Sequence, residues 1–262
     1  MSSSVAGALL LAALGLLSGW FVPALVRRIP EPEPDPAPEP EPAVHARDEA
    51  DTTAPPEEPA PAEPAAPPKE LYADIAALPG LAWKCSLATG VVGALLGWSV
   101  GWETPLLFLA YLVPVGVALS VVDWRTRLLP TKVIAPSYAV VATLAVVAAL
   151  PGQDWDVLRR AGLGWLVSGG TFLLLWLVYP RGMGYGDVRL SGVLGIALGY
   201  LGWGPLLVGI YAGFLVGGLG GALLSALRIV ERRAYPFGPF MFVGALVGVV
   251  WGETVARVYL GG

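Results

Sequence analysis

Eight stretches of this chain are too long, too apolar and too poor in charge to be elements of a water-soluble domain. They cover about 5–26, 81–101, 104–122, 133–150, 162–179, 188–202, 205–227 and 237–260. The hydrocarbon core of a bilayer is crossed by about 20 mostly apolar residues in one helix. Within lipid, a helix satisfies every backbone N–H and C=O inside its own segment. The pattern therefore predicts an all-α polytopic membrane protein with about eight transmembrane helices. The sixth stretch is the shortest, and is expected to tilt or to pack inside the bundle. Charged residues make up only 14% of the chain, against about a quarter in a soluble domain.

Orientation follows from the basic residues. Met1 to Ser4 carry no base, and Arg27 and Arg28 follow the first apolar run instead of preceding it. That order predicts a retained helix with its N-terminus outside, not a cleaved signal. Threading the helices alternately places 27–80, 123–132, 180–187 and 228–236 in the cytosol. Thirteen of the 16 Lys and Arg residues fall in or beside those segments, leaving Arg159, Arg160 and Arg257 on the other side. The bias supports both termini on the non-cytosolic face.

Between the first two helices the composition changes sharply. Residues 31–70 hold twelve acids against Arg47 and Lys69, with proline alternating with Glu and Ala over 30–68. Such a segment buries too little apolar surface to offset its ordering entropy. The expected organisation is a first helix and exit over 1–30, a disordered acidic cytosolic loop over 31–80, and a transmembrane core over 81–262. The chain has one cysteine, Cys85, and one histidine, His45, in the acidic stretch. An intramolecular disulfide, a cysteine zinc cluster and histidine-based catalysis are thereby set aside. Glycines at four-residue spacing, such as Gly93, Gly97 and Gly101, or Gly244, Gly248 and Gly252, predict close helix packing and no chemistry.

Eight carboxylates lie outside the acidic stretch, and two of them stand at the ends of apolar runs. Asp123 closes the run that begins at Leu109. Asp187 opens the next after a glycine-rich turn, Gly182-Met-Gly-Tyr-Gly-Asp187. On the threaded topology both lie at the cytosolic mouth of the bundle. An ionisable group at that depth is costly unless paired or wetted, which marks it as a functional candidate. A helix cap or an Arg partner is the plain alternative for each. If the two meet, they share one proton: the ionised carboxylate takes a proton from water as it attacks a carbonyl, and the protonated one hydrogen-bonds to the carbonyl oxygen. Amide hydrolysis is the reaction that suits such a pair. A proton- or ion-coupled transporter or channel subunit using the same two aspartates is the alternative, and an inactive secretion-system subunit is a third.

Gly184-Tyr185-Gly186-Asp187 resembles the GxGD signature of the type IV prepilin peptidases, which are membrane aspartic proteases. Asp123-Trp-Arg-Thr-Arg-Leu-Leu-Pro130 is similar to that family's other aspartate motif, and Tyr235-Pro-Phe-Gly-Pro-Phe240 to its later Pro-Phe-Gly-Pro segment. Gly15-Leu-Leu-Ser-Gly-Trp and Arg28-Ile-Pro30 resemble the first-helix region. The resemblance implies Asp123 and Asp187 as the catalytic pair, with Gly184, Gly186, Arg189 and Pro130 in supporting or substrate-binding positions. It implies cleavage of the leader of type IV prepilin or pseudopilin precursors at the cytosolic face of the inner (plasma) membrane. The lipid bilayer is then a partner and nucleic acid is not. Many members carry two CxxC pairs in the first cytosolic loop, bind zinc there, and N-methylate the product from S-adenosylmethionine. This chain lacks those cysteines, so zinc is not expected, and S-adenosylmethionine enters only if methylation is retained. Proteolysis itself needs no cofactor. Arg189 stands where the family usually has Lys, keeping the charge but not the head-group geometry.

Overall fold

The computed structural model describes residues 2–31, 70–180, 182–227 and 236–260. The acidic proline-rich segment expected to be disordered falls on 32–69, outside the described residues, as do Arg181 and the cluster around Glu231. Among the described residues the chain is helical, with no strand. Its elements are α1 (Ser3–Trp20), α2 (Val22–Arg27), α3 (Tyr72–Ala76), α4 (Leu81–Val100), α5 (Leu106–Thr126), α6 (Thr131–Ala149), α7 (Trp155–Val178), α8 (Tyr185–Leu201), α9 (Trp203–Ala226) and α10 (Gly238–Leu260).

Seven of these helices are long and apolar enough to cross a membrane: α1, α4, α5, α6, α7, α9 and α10. The exception is α8, the sixth apolar stretch. Its 17 residues rise only roughly 26 Å at 1.5 Å each, short of the ~30 Å hydrocarbon core. Twelve of its residues are buried, against four in α7, so it is surrounded mainly by protein. The outside of the bundle is the reverse of a soluble surface. Leu, Val and Trp side chains are exposed along it, and Trp20, Trp98, Trp102, Trp155 and Trp203 stand near helix ends, as in the aromatic belts of membrane proteins. The protein is a polytopic helical membrane protein.

Three antiparallel seams hold the bundle, each built on glycine. In α1 and α4, Gly7 and Gly97 face each other so closely that a side chain on either would enter the opposite backbone. Thr89 Oγ1 and Ser86 Oγ of α4 add hydrogen bonds to the Gly15 and Leu16 carbonyls of α1, each at 2.6 Å. The α9–α10 seam runs through Gly213 and Gly244, then Pro205 and Gly252. The four-residue glycine spacing pointed to both. The third seam pairs Gly164 of α7 with Gly195 of α8, and Arg160 ties off its end with 2.8 and 2.7 Å bonds to the Gly199 and Tyr200 carbonyls. Lipid tails are as apolar as leucine, so burial does not drive association; close backbone contact and dispersion do.

The disorder expected as far as residue 80 does not hold for its last part. Tyr72 and Ile75, on α3, are 2% and 0% exposed and pack against Val22, Val26 and Ile29 on one side and Ala118 and Val122 of α5 on the other. The dense alternation of proline with Glu and Ala ends at Pro68, and with it the reason for disorder. Helix α7 likewise begins earlier than its hydropathy suggests, at Trp155, because Asp154 caps it with 3.1 and 3.3 Å bonds from the Asp156 and Val157 amides.

Candidate active site

Asp123 occupies the last turn of α5 and Asp187 the first turn of α8. They are 3% and 6% exposed, and among the described residues no other Asp, Glu, Lys or Arg is buried. A buried ionised carboxylate is unfavourable without hydrogen bonds to its oxygens. Each receives one from a glycine amide. Gly238 N–H, at the start of α10, donates to Asp123 Oδ2 at 2.9 Å. Gly184 N–H, just ahead of α8, donates to Asp187 Oδ2 at 3.1 Å. The second oxygen of each carboxyl is left for other work. The two lie within electrostatic reach, so that the charge on Asp123 is felt at Asp187.

The convergence is a product of three chain turns. Arg127 adopts left-handed geometry (φ 57°, ψ 28°), and its amide bonds to the Asp123 carbonyl at 2.8 Å, which closes α5. Three residues later Pro130 caps the start of α6 from an extended conformation, where its missing N–H costs no helical hydrogen bond, and its carbonyl accepts from Val133 and Ile134 at 3.0 and 3.2 Å. The short link holds Leu129 between the other two chain segments. A β-carbon at Gly186 would lie 2.7 Å from Leu129 Cβ; one at Gly238 would lie 3.3 Å from Leu129 Cδ2 and 2.8 Å from Asp123 Oδ2. Glycine at both positions is what lets the starts of α8 and α10 close on this link.

The expected supporting residues are all at this end of the bundle, in differing circumstances. Gly184 orients Asp187 through its amide, Gly186 packs on Leu129, and Pro130 starts a helix. The Arg189 guanidinium lies 4.5 Å over the Tyr185 ring and donates to Thr131 Oγ1, while its backbone carbonyl accepts from Tyr138 Oη at 2.6 Å. It therefore fastens α8 to α6. Two participants were not singled out from the sequence: Gly238, whose motif was noticed but whose amide role was not, and Leu129, which carries no chemical signal of its own.

A second anchor lies outside the buried pair. Arg125, two residues past Asp123, forms a two-pronged pair with Glu70: Nε to Oε2 at 2.7 Å and Nη2 to Oε1 at 2.5 Å. These hydrogen bonds hold the Glu70 carboxyl below the usual glutamate range. The pair fixes the chain entering α3 to the helix that carries Asp123.

The chain has one Cys and one His, and the described residues contain no group of three or more metal-ligating side chains. The transporter alternative requires an acidic path across the bundle, yet no third carboxylate is buried among the described residues.

Comparison with known proteins shows what the stretch carrying the site is similar to. The model of the type IV leader peptidase family matches residues 106–223, from the start of α5 into α9, and so includes both aspartates. The chain is 31% identical over 182 residues to the prepilin leader peptidase/N-methyltransferase of Pseudomonas aeruginosa, covering 66% of this chain and 59% of that one. It is 27% identical over 179 residues to the protein of the same name from Stutzerimonas stutzeri, covering 66% and 60%, and 30% identical over 177 residues to that of Aeromonas hydrophila, covering 61% and 54%. The chain thus spans somewhat under two thirds of the length of these relatives. No solved structure matches it. From the start of α5 into α9 the chain is thus similar to the type IV leader peptidase family, and both aspartates lie in the matched stretch.

Proposed function

We propose that this protein is a prepilin leader peptidase, an aspartic endopeptidase that removes the leader of type IV pilin-like precursors at the cytosolic face of the bacterial inner membrane. The observation that carries the reading is the burial of Asp123 and Asp187, and of no other described acid, at one end of the bundle, where Leu129 packs between the chain segments of Gly186 and Gly238. Bases support the orientation: Arg27, Arg28, Lys84, Arg125, Arg127, Lys132 and Arg189 belong to that end by helix order, against Arg159, Arg160 and Arg257 at the other.

In this reading the pair holds one proton between its two carboxyl groups, because like charges so placed do not both ionise. The ionised member accepts a proton from a water molecule as the water oxygen bonds to the scissile carbonyl carbon. The protonated member donates to the carbonyl oxygen as its π bond opens. Proton transfer to the amide nitrogen then lets the C–N bond break, and the carboxyl pair returns to its singly protonated state. Either aspartate can take either role. Gly238 and Gly184 keep the reacting oxygens oriented, and Arg189 with Thr131 holds the first turn of α8 in place.

The relatives' names also include an N-methyltransferase; the reading for this chain is confined to proteolysis, and methyl transfer from S-adenosylmethionine would show as added product mass. The test is incubation of the purified protein, in lipid, with a pilin-like precursor, followed by mass spectrometry of the products. Leader release is expected from the wild type and not from Asp123→Asn or Asp187→Asn. Cleavage by either variant would falsify the dyad.

A further inference from the structure

One helical turn from Asp123, and lined by residues of α4, α5, α8 and α10, lies an apolar cavity of about 280 Å³. Its position is fixed by helical phase. Counting back from Asp123 by three, seven, eleven and fourteen residues gives Ser120, Gly116, Leu112 and Leu109, all on its wall. Counting forward from Asp187 by seven, eleven and fourteen gives Leu194, Leu198 and Leu201. Counting forward from Gly238 by four, seven and eleven gives Phe242, Ala245 and Val249. Residues at these spacings share one face of a helix. The cavity therefore continues, toward the middle of the membrane, the same three helix faces that present Asp123, Asp187 and the amide of Gly238. Ser120 is its one polar liner and lies a single turn from Asp123.

We infer that this cavity is a specificity subsite of the peptidase, receiving a large apolar side chain from the lipid-embedded side of the scissile bond. The inference rests on the peptidase reading and adds to it what selects the substrate. Size restricts the occupant. A membrane helix is about 10 Å across and ~30 Å long, far beyond 280 Å³, whereas one or two aromatic or branched side chains fit. Chemistry restricts it further, since an apolar wall offers nothing to a charged leader. Access is present, because Val243 on the rim is 43% exposed to the lipid side. A substrate whose reacting carbonyl sits at the carboxyl pair, and whose following residues enter the bilayer, brings its first apolar side chains to this opening. The Phe242 ring lies against Gly116 and sets the depth of the space.

The test scans Phe, Leu and Ala across the first four positions after the cut, with full-length protein in phospholipid vesicles and kcat/KM as the readout. In the wild type, Ala at one of these positions is expected to lower kcat/KM on the order of tenfold or more. Ala245→Phe, which fills the cavity, is expected to abolish that preference, so that the Phe, Leu and Ala substrates are cut with similar kcat/KM. Phe242→Ala, which deepens it, is expected to move the preference toward Trp, and it carries the test should Ala245→Phe not fold. Unchanged preference in both variants overturns the subsite while leaving the peptidase standing. So does release of a bound phospholipid by Ala245→Phe with preference unchanged, which would make the cavity an acyl-chain site. A wild type that cuts no leader substrate overturns the peptidase reading and the subsite together.

Discussion

Asp154 at the start of α7 and Asp187 at the start of α8 occupy similar places in their helices. Asp154 accepts the amides of Asp156 and Val157; Asp187 accepts the amide of Gly184. In sequence each is an acid ahead of an apolar run, and each is explained locally by the unpaired N–H groups of a first turn. The difference is in their surroundings. Asp154 is exposed, and beside it Asp156 pairs with Arg159 at 3.3 Å on the surface. Asp187 is buried, with Asp123 as its neighbouring charge. Capping is thus common to both, and only Asp187 is also buried, with a second buried carboxylate at the same end of the bundle. A helix-start aspartate is an ordinary feature until the bundle closes around it.

The largest expected effect tests that contrast directly. Asp187→Asn should lower leader cleavage by roughly a thousandfold or more, the scale of lost acid–base catalysis. Asp154→Asn should leave cleavage unchanged and shift stability by less than about 1 kcal/mol, since Asn is also a good cap. Equal activity in the two variants, measured on the same precursor, would reduce Asp187 to a second cap. An intermediate effect is expected for Gly238→Ala. The added methyl would stand 2.8 Å from Asp123 Oδ2, so the carboxyl must move. Displacement on that scale costs on the order of tenfold to a hundredfold in kcat, with membrane insertion unaffected. An alanine variant cutting at the wild-type rate would show that the Gly238 bond does not set the geometry of Asp123.

The smallest effect concerns the outer anchor. Glu70 titrates below its ordinary value because Arg125 bonds to it. A group whose folded value is depressed contributes stability above its unfolded value, near 4.3, and loses it as pH falls through the folded one. The wild type should therefore be more stable than Glu70→Gln at neutral pH by under about 1 kcal/mol, the scale of a partly exposed pair. The difference should disappear in acid. Thermal unfolding in detergent across about pH 2–8 would measure it; a gap undiminished at the acid end would mean that the side chain acts through packing, not charge.

Much of the architecture was legible because lipid imposes a strong local rule. A run of about 20 apolar residues has essentially one stable form there, so the long helices, the short sixth and two of the three glycine seams could be read from spacing. The third seam was less visible because Gly195 and Gly199 of α8 give only one four-residue step and α7 offers the single Gly164 against them. Helix α3 was missed because five residues beside a proline-rich segment give no periodic signal; Tyr72 and Ile75 are ordered by what they touch. Of the carboxyl pair, each member was conspicuous alone as an acid at the end of an apolar run.

The amino-acid order by itself determined which segments are helical, which end of the bundle collects the bases, and which two acids the apolar runs carry. It did so because hydropathy and helix periodicity act over a few turns of chain. Only the tertiary structure decided that 63 intervening residues return Asp187 to Asp123, that Gly238 supplies an amide to one of them, and that Leu129 sits between their helices. Those relations depend on close approach between distant backbones. Such approach is governed by missing β-carbons and complementary shape, and no local pattern encodes it.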